Sequence, residues 1–324
     1  MGKQLWKWIL GLAVGMAAAG CGAGNTENSR RLIIGTSEHT GSYYAVGTDL
    51  AQILQEELPD YAVSARETNG SSDNVRLLSD NTLQLALAQT DILYDARNGI
   101  GMFNDTFPVK GFSAVAALYP EALHIVVRRD AEIESLRDLI GCRIGTGSPD
   151  SGTEQNAFEV FAACGIEPGS ITTVNMTTAE AGQALKDGTI DAFFVTSSIG
   201  NTVIAALNEE LPVRMLGLSE ELSEKMCSKY NYFFPYEIPA DSYEGQTEPI
   251  RTIAVESCLI CRDSLPDDLV KTITSVLFSH ADELSAAMPN RFKLSEQDAV
   301  RDVPLPFHPG AVQYYEEAGV RIGE

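Results

Sequence analysis

Three short stretches gather hydroxyl and small residues: "GTSEHTGSYY" (35–44), "ETNGSSDNVR" (67–76) and "GSPDSGTEQN" (147–156). Each follows a strand-like run and opens a helix-like run. The chemistry this pattern serves is recognition of a small anion. The first turn of a helix leaves backbone N–H groups without partners and carries a partial positive charge. Glycine lets the backbone come close to a ligand, and serine or threonine adds hydroxyl donors and caps the helix. One such loop is what any helix start asks for, and Asn69, Ser71 or Ser151 could be a cap and no more. Three of them, two in one half of the chain and one in the other, point to a shared site. Gln89, Thr90 and Asp91 end one strand-like run, and Thr196 and Ser197 end another. Those positions belong to the carboxyl edge of an open α/β sheet, where ligands bind. Tyr43, Tyr232 and Phe233 are candidates for an apolar wall, with core packing the commoner role for aromatics.

Catalytic constellations are not evident. The sequence has no G-x-S-x-G, H-E-x-x-H, G-x-x-x-x-G-K-[ST] or S-x-x-K pattern. Its four histidines, His39, His124, His280 and His308, are scattered. His39, beside Glu38 in the first loop, is the one placed to touch a ligand; His124 and His280 read as structural. Asp91 and Asp95 have the spacing of helix neighbours, which is poor support for a metal or an acid–base pair. No cofactor and no metal are expected.

The elements that must position these loops alternate. "RLIIGT" (31–36), "YAVSARE" and "LQLALAQ" (83–89) read as strands. Between them run a helix from Tyr43, with Val46, Leu50, Ile53, Leu54 and Leu58 on one face, and a second helix in "SSDNVRLLSD". This β-α-β-α-β order predicts a parallel sheet covered by helices. Residues 112–130 read as two extended pieces meeting near Pro120. A second α/β unit spans roughly 122–216, with a helix from Thr153 to Cys164, another from Ala179 to Lys186, and strands at "SITTVN", 190–195 and "LPVRMLGL". Residues 219–250 look irregular. "RTIAVESCLICR" is a strand, 266–288 one long amphipathic helix, and 309–318 a last helix. The C-terminal part is expected to return to the first domain, so that two chain crossings form a hinge. The expected division is 31–121 plus 245–324 for lobe I and 122–244 for lobe II.

A formal charge of −22 over 324 residues leaves no basic footprint for nucleic acid. The N-terminus departs from the rest. Lys3 and Lys7 precede an apolar run from Trp8 to Ala19, then Gly20-Cys21. This is the pattern of an export signal, and the run is short for a membrane span. Ala18-Ala19-Gly20-Cys21 resembles a lipoprotein box, with Ala18 where a large aliphatic residue is usual. Residues 1–21 are therefore expected to be a lipoprotein signal with Cys21 lipidated, and 22–30 a flexible tether; a plain secretory signal is the alternative. Of the remaining cysteines, Cys258 and Cys261 form a C-x-x-C inside a strand-like run, where residues three apart point to opposite faces. Buried small hydrophobes are the expected role.

"LIIGTSEHTGSYYAVGTDLAQIL", "ETNGSSDNVRLL", "LALAQTDILYDARNG", "GSPDSGTEQNAFEVF" and "LKDGTIDAFFVTSSIGN", taken in order, resemble the TAXI family. These are extracytoplasmic solute-binding proteins of tripartite ATP-independent periplasmic (TRAP) transporters. The likeness covers essentially everything after residue 31. It implies a type-II periplasmic-binding fold, two α/β lobes with a hinge and an interlobe cleft. It also implies a glutamate, glutamine or 2-oxoglutarate type of ligand, and delivery to a TRAP membrane permease. Carried across, the ligand residues would be Thr36, Ser37, Gly41, Ser42, Tyr43, Asn69, Gly70, Ser71, Asn74, Gln89, Asp91, Ser148, Gly152, Thr153 and Thr196. Glu38-His39 stand where the family often has small residues, and a carboxylate there disfavours a ligand carboxylate beside it unless His39 is charged. Two other readings stay open: a binding subunit of an ABC importer or sensor system, and a small-molecule transferase using His39.

Overall fold

A computed structural model describes residues 31–105, 108–288 and 292–323. The expected signal, Cys21 and the tether lie outside the described residues. The apolar runs fold as the alternation requires. Strand β1 (Arg31–Gly35), helix α1 (Ser42–Glu57), β2 (Ala62–Arg66), α2 (Ser71–Ser79), β3 (Leu85–Gln89) and α3 (Thr90–Asn98) follow one another. β1 pairs in parallel with both β2 and β3. α1 buries Tyr43, Val46, Leu50, Ile53 and Leu54 at spacings of three and four, and it stops ahead of Pro59, which disfavours helical backbone in the preceding residue.

The stretch expected as two pieces meeting at Pro120 is one strand, β4 (Phe112–Arg128). Proline cannot donate to a ladder, and the irregularity it brings is absorbed in register. β4 runs antiparallel to β10 (Ile250–Arg262), Pro120 faces Glu256, and the pairing shifts between Ser257 and Cys258. Between these strands the chain builds β5 (Arg143–Gly145), α4 (Gly152–Cys164), β6 (Thr172–Val174), α5 (Thr178–Lys186), β7 (Ala192–Ser197), α6 (Thr202–Glu210) and β8 (Val213–Met215). The segment expected to be irregular contains α7 (Glu220–Lys229) and β9 (Phe234–Ile238). α7 is capped by the Ser219 hydroxyl, and β9 alternates exposed with half-buried residues along the outer side of β10, where Pro235 is tolerated. The C-terminal region adds α8 (Asp267–Ser279), α9 (Ala281–Ser285) and α10 (Pro309–Glu317). The single long helix expected over 266–288 is broken at His280, whose backbone leaves helical geometry at φ −110°, ψ 21°.

The strands run in the order β2-β1-β3-β10-β4-β7-β5-β6, with β8 on β4 and β9 on β10. β4 and β10 are therefore common to two halves. Val115, Ala116 and Leu118 of β4 pack with Leu259 and Cys261 of β10 and with α1, α8 and α10. Further along the same strands, Leu123, Ile125, Ile253 and Val255 pack with Val160 and Phe161 of α4. The packing changes sides near Pro120 and again between Val255 and Cys258. Ile250, Ile253 and Val255, expected in lobe I, thus lie with the second half. Cys258 and Cys261 fall in cores on opposite faces of the sheet, and the five cysteines among the described residues are unpaired.

Candidate functional site

The site begins at helix starts. Gly41 precedes α1, Gly70 precedes α2 and Ser151 caps α4, its hydroxyl accepting from the Glu154 N–H at 3.1 Å. Gly70 sits at φ 113°, ψ −149°, a conformation essentially confined to glycine. At that point the two halves touch: a Cβ on Gly70 would lie 3.7 Å from the Ser151 Cα. Gly152 is constrained by contact, since a Cβ there would fall 1.6 Å from the Gln89 Oε1.

The three loops converge on one cavity of about 60 Å³ between the halves. Of the residues anticipated from sequence, Ser37, Gly41, Ser42, Tyr43, Asn69, Gly70, Ser71, Gln89, Ser148, Gly152, Thr153 and Thr196 line it. Four do not. Thr36 is fully buried, and its hydroxyl donates to the Arg66 carbonyl at 2.8 Å, tying β1 to β2. Asn74 donates to the carbonyls of Thr36 and Leu87, both at 2.7 Å, and braces α2 against the strand ends. Asp91 turns away into the contact between α3 and α4, where it accepts from Asn156 Nδ2 at 2.5 Å. His39 faces solvent, its ring 4.2 Å from that of Tyr44. The Glu38–Gly41 turn sends alternate side chains in opposite directions, so Glu38 enters the cavity wall and His39 leaves it. Tyr232 and Phe233 line a separate, larger hollow of about 860 Å³ beside Pro120 and Glu256.

Glu38, Glu121, Gly147, Ser151, Thr178, Val195, Ser197 and Asn201 complete the lining. Both oxygens of Glu38 accept from the Thr178 N–H at the start of α5, at 2.9 and 3.1 Å, so this carboxylate bridges the halves. Burial raises its pKa, with the Thr178 bonds acting against that. Glu121 is 2% exposed and accepts from the Tyr43 hydroxyl at 2.6 Å and the Ser42 hydroxyl at 3.3 Å. Burial pushes its pKa up to about 8, with the Tyr43 and Ser42 bonds opposing. Glu121 was visible in the sequence as an acid inside the apolar run "YPEALHIVV", but a charged residue at a strand break is more often solvated. Asn201 was legible as a helix cap, and its side chain accepts from the N–H groups of Val203 and Ile204.

Further contacts hold the halves together around the cavity. The Ser72 N–H donates to the Asp150 carbonyl at 3.2 Å, and Arg76 pairs with Asp150. Gln155 donates to Asp95, and the Met102 N–H reaches Gln155 Oε1 at 3.3 Å. Burial raises Asp91 to about 7, partly offset by Asn156. It raises Glu159, which accepts from the Tyr232 hydroxyl at 2.7 Å, to about 8.

Two α/β halves strung on a pair of long antiparallel strands, with helix starts from both facing a shared hollow, define the two-lobed fold of periplasmic binding proteins. The chain belongs to the NMT1-like family, whose model matches residues 34–319. Solved structures share the fold at low identity. A putative L-cystine ABC transporter protein from Listeria monocytogenes is 14% identical with a TM-score of 0.51, covering 80% of this chain and 94% of its own. A structure described as a periplasmic transporter is 12% identical with a TM-score of 0.54, covering 89% and 95%. A Xanthomonas citri protein bound to chloride ion is 10% identical with a TM-score of 0.53, covering 89% and 99%.

Proposed function

We infer that the chain is an extracytoplasmic solute-binding protein, not an enzyme. On this reading it captures a small carboxylate or amino acid of the glutamate, glutamine or 2-oxoglutarate type and hands it to a TRAP permease. The observation that carries the reading is the meeting of glycine- and hydroxyl-bearing helix starts from both halves on one cavity. Helix starts hold a ligand carboxylate through backbone N–H groups and hydroxyls, and charge-assisted bonds of this kind contribute about 1.5–3 kcal/mol each. The lobes divide within β4 near Pro120 and within β10 near Glu256, and these two strands act as the hinge. The cavity of about 60 Å³ is well below the roughly 300–1,000 Å³ of ordinary ligand sites. Ligand therefore enters a more open form, and closure is driven by contacts that the open form lacks.

The basic, apolar and Gly-Cys succession before residue 22 supports tethering through lipidated Cys21; Cys21→Ala should then move the protein out of the membrane fraction. The second reading, a subunit of an ATP-driven importer, is supported by the shared fold with the putative L-cystine ABC transporter protein of Listeria monocytogenes. Isothermal calorimetry with glutamate, glutamine and 2-oxoglutarate tests ligand capture, and unchanged heats across the set count against it. Uptake into vesicles carrying the cognate membrane subunits separates the two delivery routes. Dependence on an ion gradient supports the TRAP permease, and dependence on ATP supports the importer.

A further inference from the structure

Among the described residues, no lysine, arginine or histidine lines the cavity; its only charged side chains are Glu38 and Glu121. Glu38 is already engaged by the Thr178 N–H through both oxygens. Glu121 differs. It lies at the cavity wall, 2% exposed, with the neutral hydroxyls of Tyr43 and Ser42 donating to it, the Gln89 amide beside it, and no cation in the cavity lining. The Gln89 Oε1 in the same wall is buried without a donor. A buried carboxylate without a cation and a buried carbonyl without a donor are both costly. Opposite them stand the helix starts, which favour an anion. The cavity thus has a side made of helix starts that favours an anion and a side made of one acid, against which a ligand carboxylate is unfavourable.

We propose that Glu121 receives the ammonium group of the ligand, with Gln89 Oε1 as a second acceptor, so that the site selects small zwitterionic amino acids and rejects dicarboxylates without an amine. The proposal rests on reading this cavity as the ligand site. An ammonium group has three hydrogens to place, and both acceptors are available to it. A 2-oxo acid has none to offer and sets a like charge or a bare carbonyl against Glu121.

The proposal fixes the sign of a pH effect. Burial, with the charge of nearby Asp91 adding to it, holds Glu121 largely protonated near neutral pH, its pKa being about 8. Binding an ammonium group expels that proton. Affinity for an amino acid should therefore rise from pH 6 toward pH 8, by up to about tenfold per pH unit. A ligand that needs the protonated acid would show the opposite trend.

The test is calorimetry on the full chain in detergent with L-glutamate, L-glutamine and 2-oxoglutarate, at pH 6, 7 and 8, for the native protein, Glu121→Gln and Gly152→Val. At pH 8, where about half of Glu121 is ionised, the native protein should prefer an amino acid to the oxo acid, and the preference should shrink toward pH 6. Glu121→Gln should lose most of that preference and its pH trend. Equal affinity for glutamate and 2-oxoglutarate, or amino-acid affinity that falls from pH 6 to pH 8, overturns the role of Glu121 and leaves the cavity as the ligand site. Gly152→Val places bulk against Gln89 and blocks the cavity. Binding that survives it unchanged, or no binding of any of the three, overturns the cavity reading and the proposal with it. The pH profile of the native protein decides the matter even if Glu121→Gln folds poorly.

Discussion

Gly70 is required by its backbone. At φ 113°, ψ −149°, it lies where residues with a Cβ are strained, while the Ser151 cap of the other half leaves room for a Cβ at 3.7 Å. Gly70→Ala should cost about 1–3 kcal/mol of stability, read as a lowered urea midpoint with unchanged far-UV dichroism; an unchanged midpoint would mean the strain is relieved elsewhere. Glu38 and His39 show how side-chain direction divides adjacent residues. The sequence marks both as unusual in a small-residue loop, yet only the turn geometry sends Glu38 to Thr178 and His39 to Tyr44. Thr36 and Asn74 belong to the same loops by composition, but the Thr36 hydroxyl and the Asn74 amide N–H groups are taken up by carbonyls of Arg66, Thr36 and Leu87. Local sequence cannot distinguish a hydroxyl that braces a loop from one that faces a cavity.

At the scale of elements, the contact between α3 and α4 was the least legible part. Asp91 and Asp95 were visible as helix neighbours, but their partners Asn156 and Gln155 lie 65 and 60 residues away. Asn156 also accepts from the Thr196 hydroxyl at 2.8 Å, so one side chain links α3, α4 and the end of β7. Asn156→Leu leaves a buried acid and a buried hydroxyl without that partner, and should cost about 1–3 kcal/mol. The loss should be greater at pH 8 than at pH 5, because the amide donates to Asp91 and that bond favours its ionised form; a pH-independent loss would show that packing, not this bond, is what the variant removes. The helices themselves were readable where caps and apolar stripes coincide, as in α1. α7 and β9 were missed because their burial faces depend on β10, a strand that arrives later in the chain.

The whole molecule stores several protonated acids. Asp91 and Glu256 are raised to about 7, and Glu121 and Glu159 to about 8, burial being the first cause in each. The folded chain holds protons that the unfolded chain releases near ordinary carboxylate values, so their contribution to stability is full at low pH and is lost as pH rises through 7 to 8. His124, buried against the Tyr243 hydroxyl at 3.0 Å, is pushed down to about 4. Its contribution has the reverse sign: it is present above the ordinary histidine range and lost as pH falls toward 4. From these groups, stability measured by urea unfolding should be highest near about pH 4–5 and fall steadily to about pH 8. Glu159→Gln should flatten the decline, and a midpoint that climbs between pH 6 and pH 8 would contradict the assignment.

By itself, the sequence determined the alternation of strands and helices in the first half and the placement of glycine and hydroxyl residues at helix starts. Those properties follow from local backbone preference and from composition, which act within a few residues. Only the tertiary structure decided that twelve of the anticipated residues share one cavity and four do not. It also decided that β4 and β10 run through both halves, and that Glu121 is a buried acid in the cavity wall. The reason is distance along the chain. A cavity wall and the pKa of a group in it are set by what packs against it from elsewhere, and nothing in the neighbouring residues of Glu121 announces Ser42, Tyr43 and Gln89 as its surroundings.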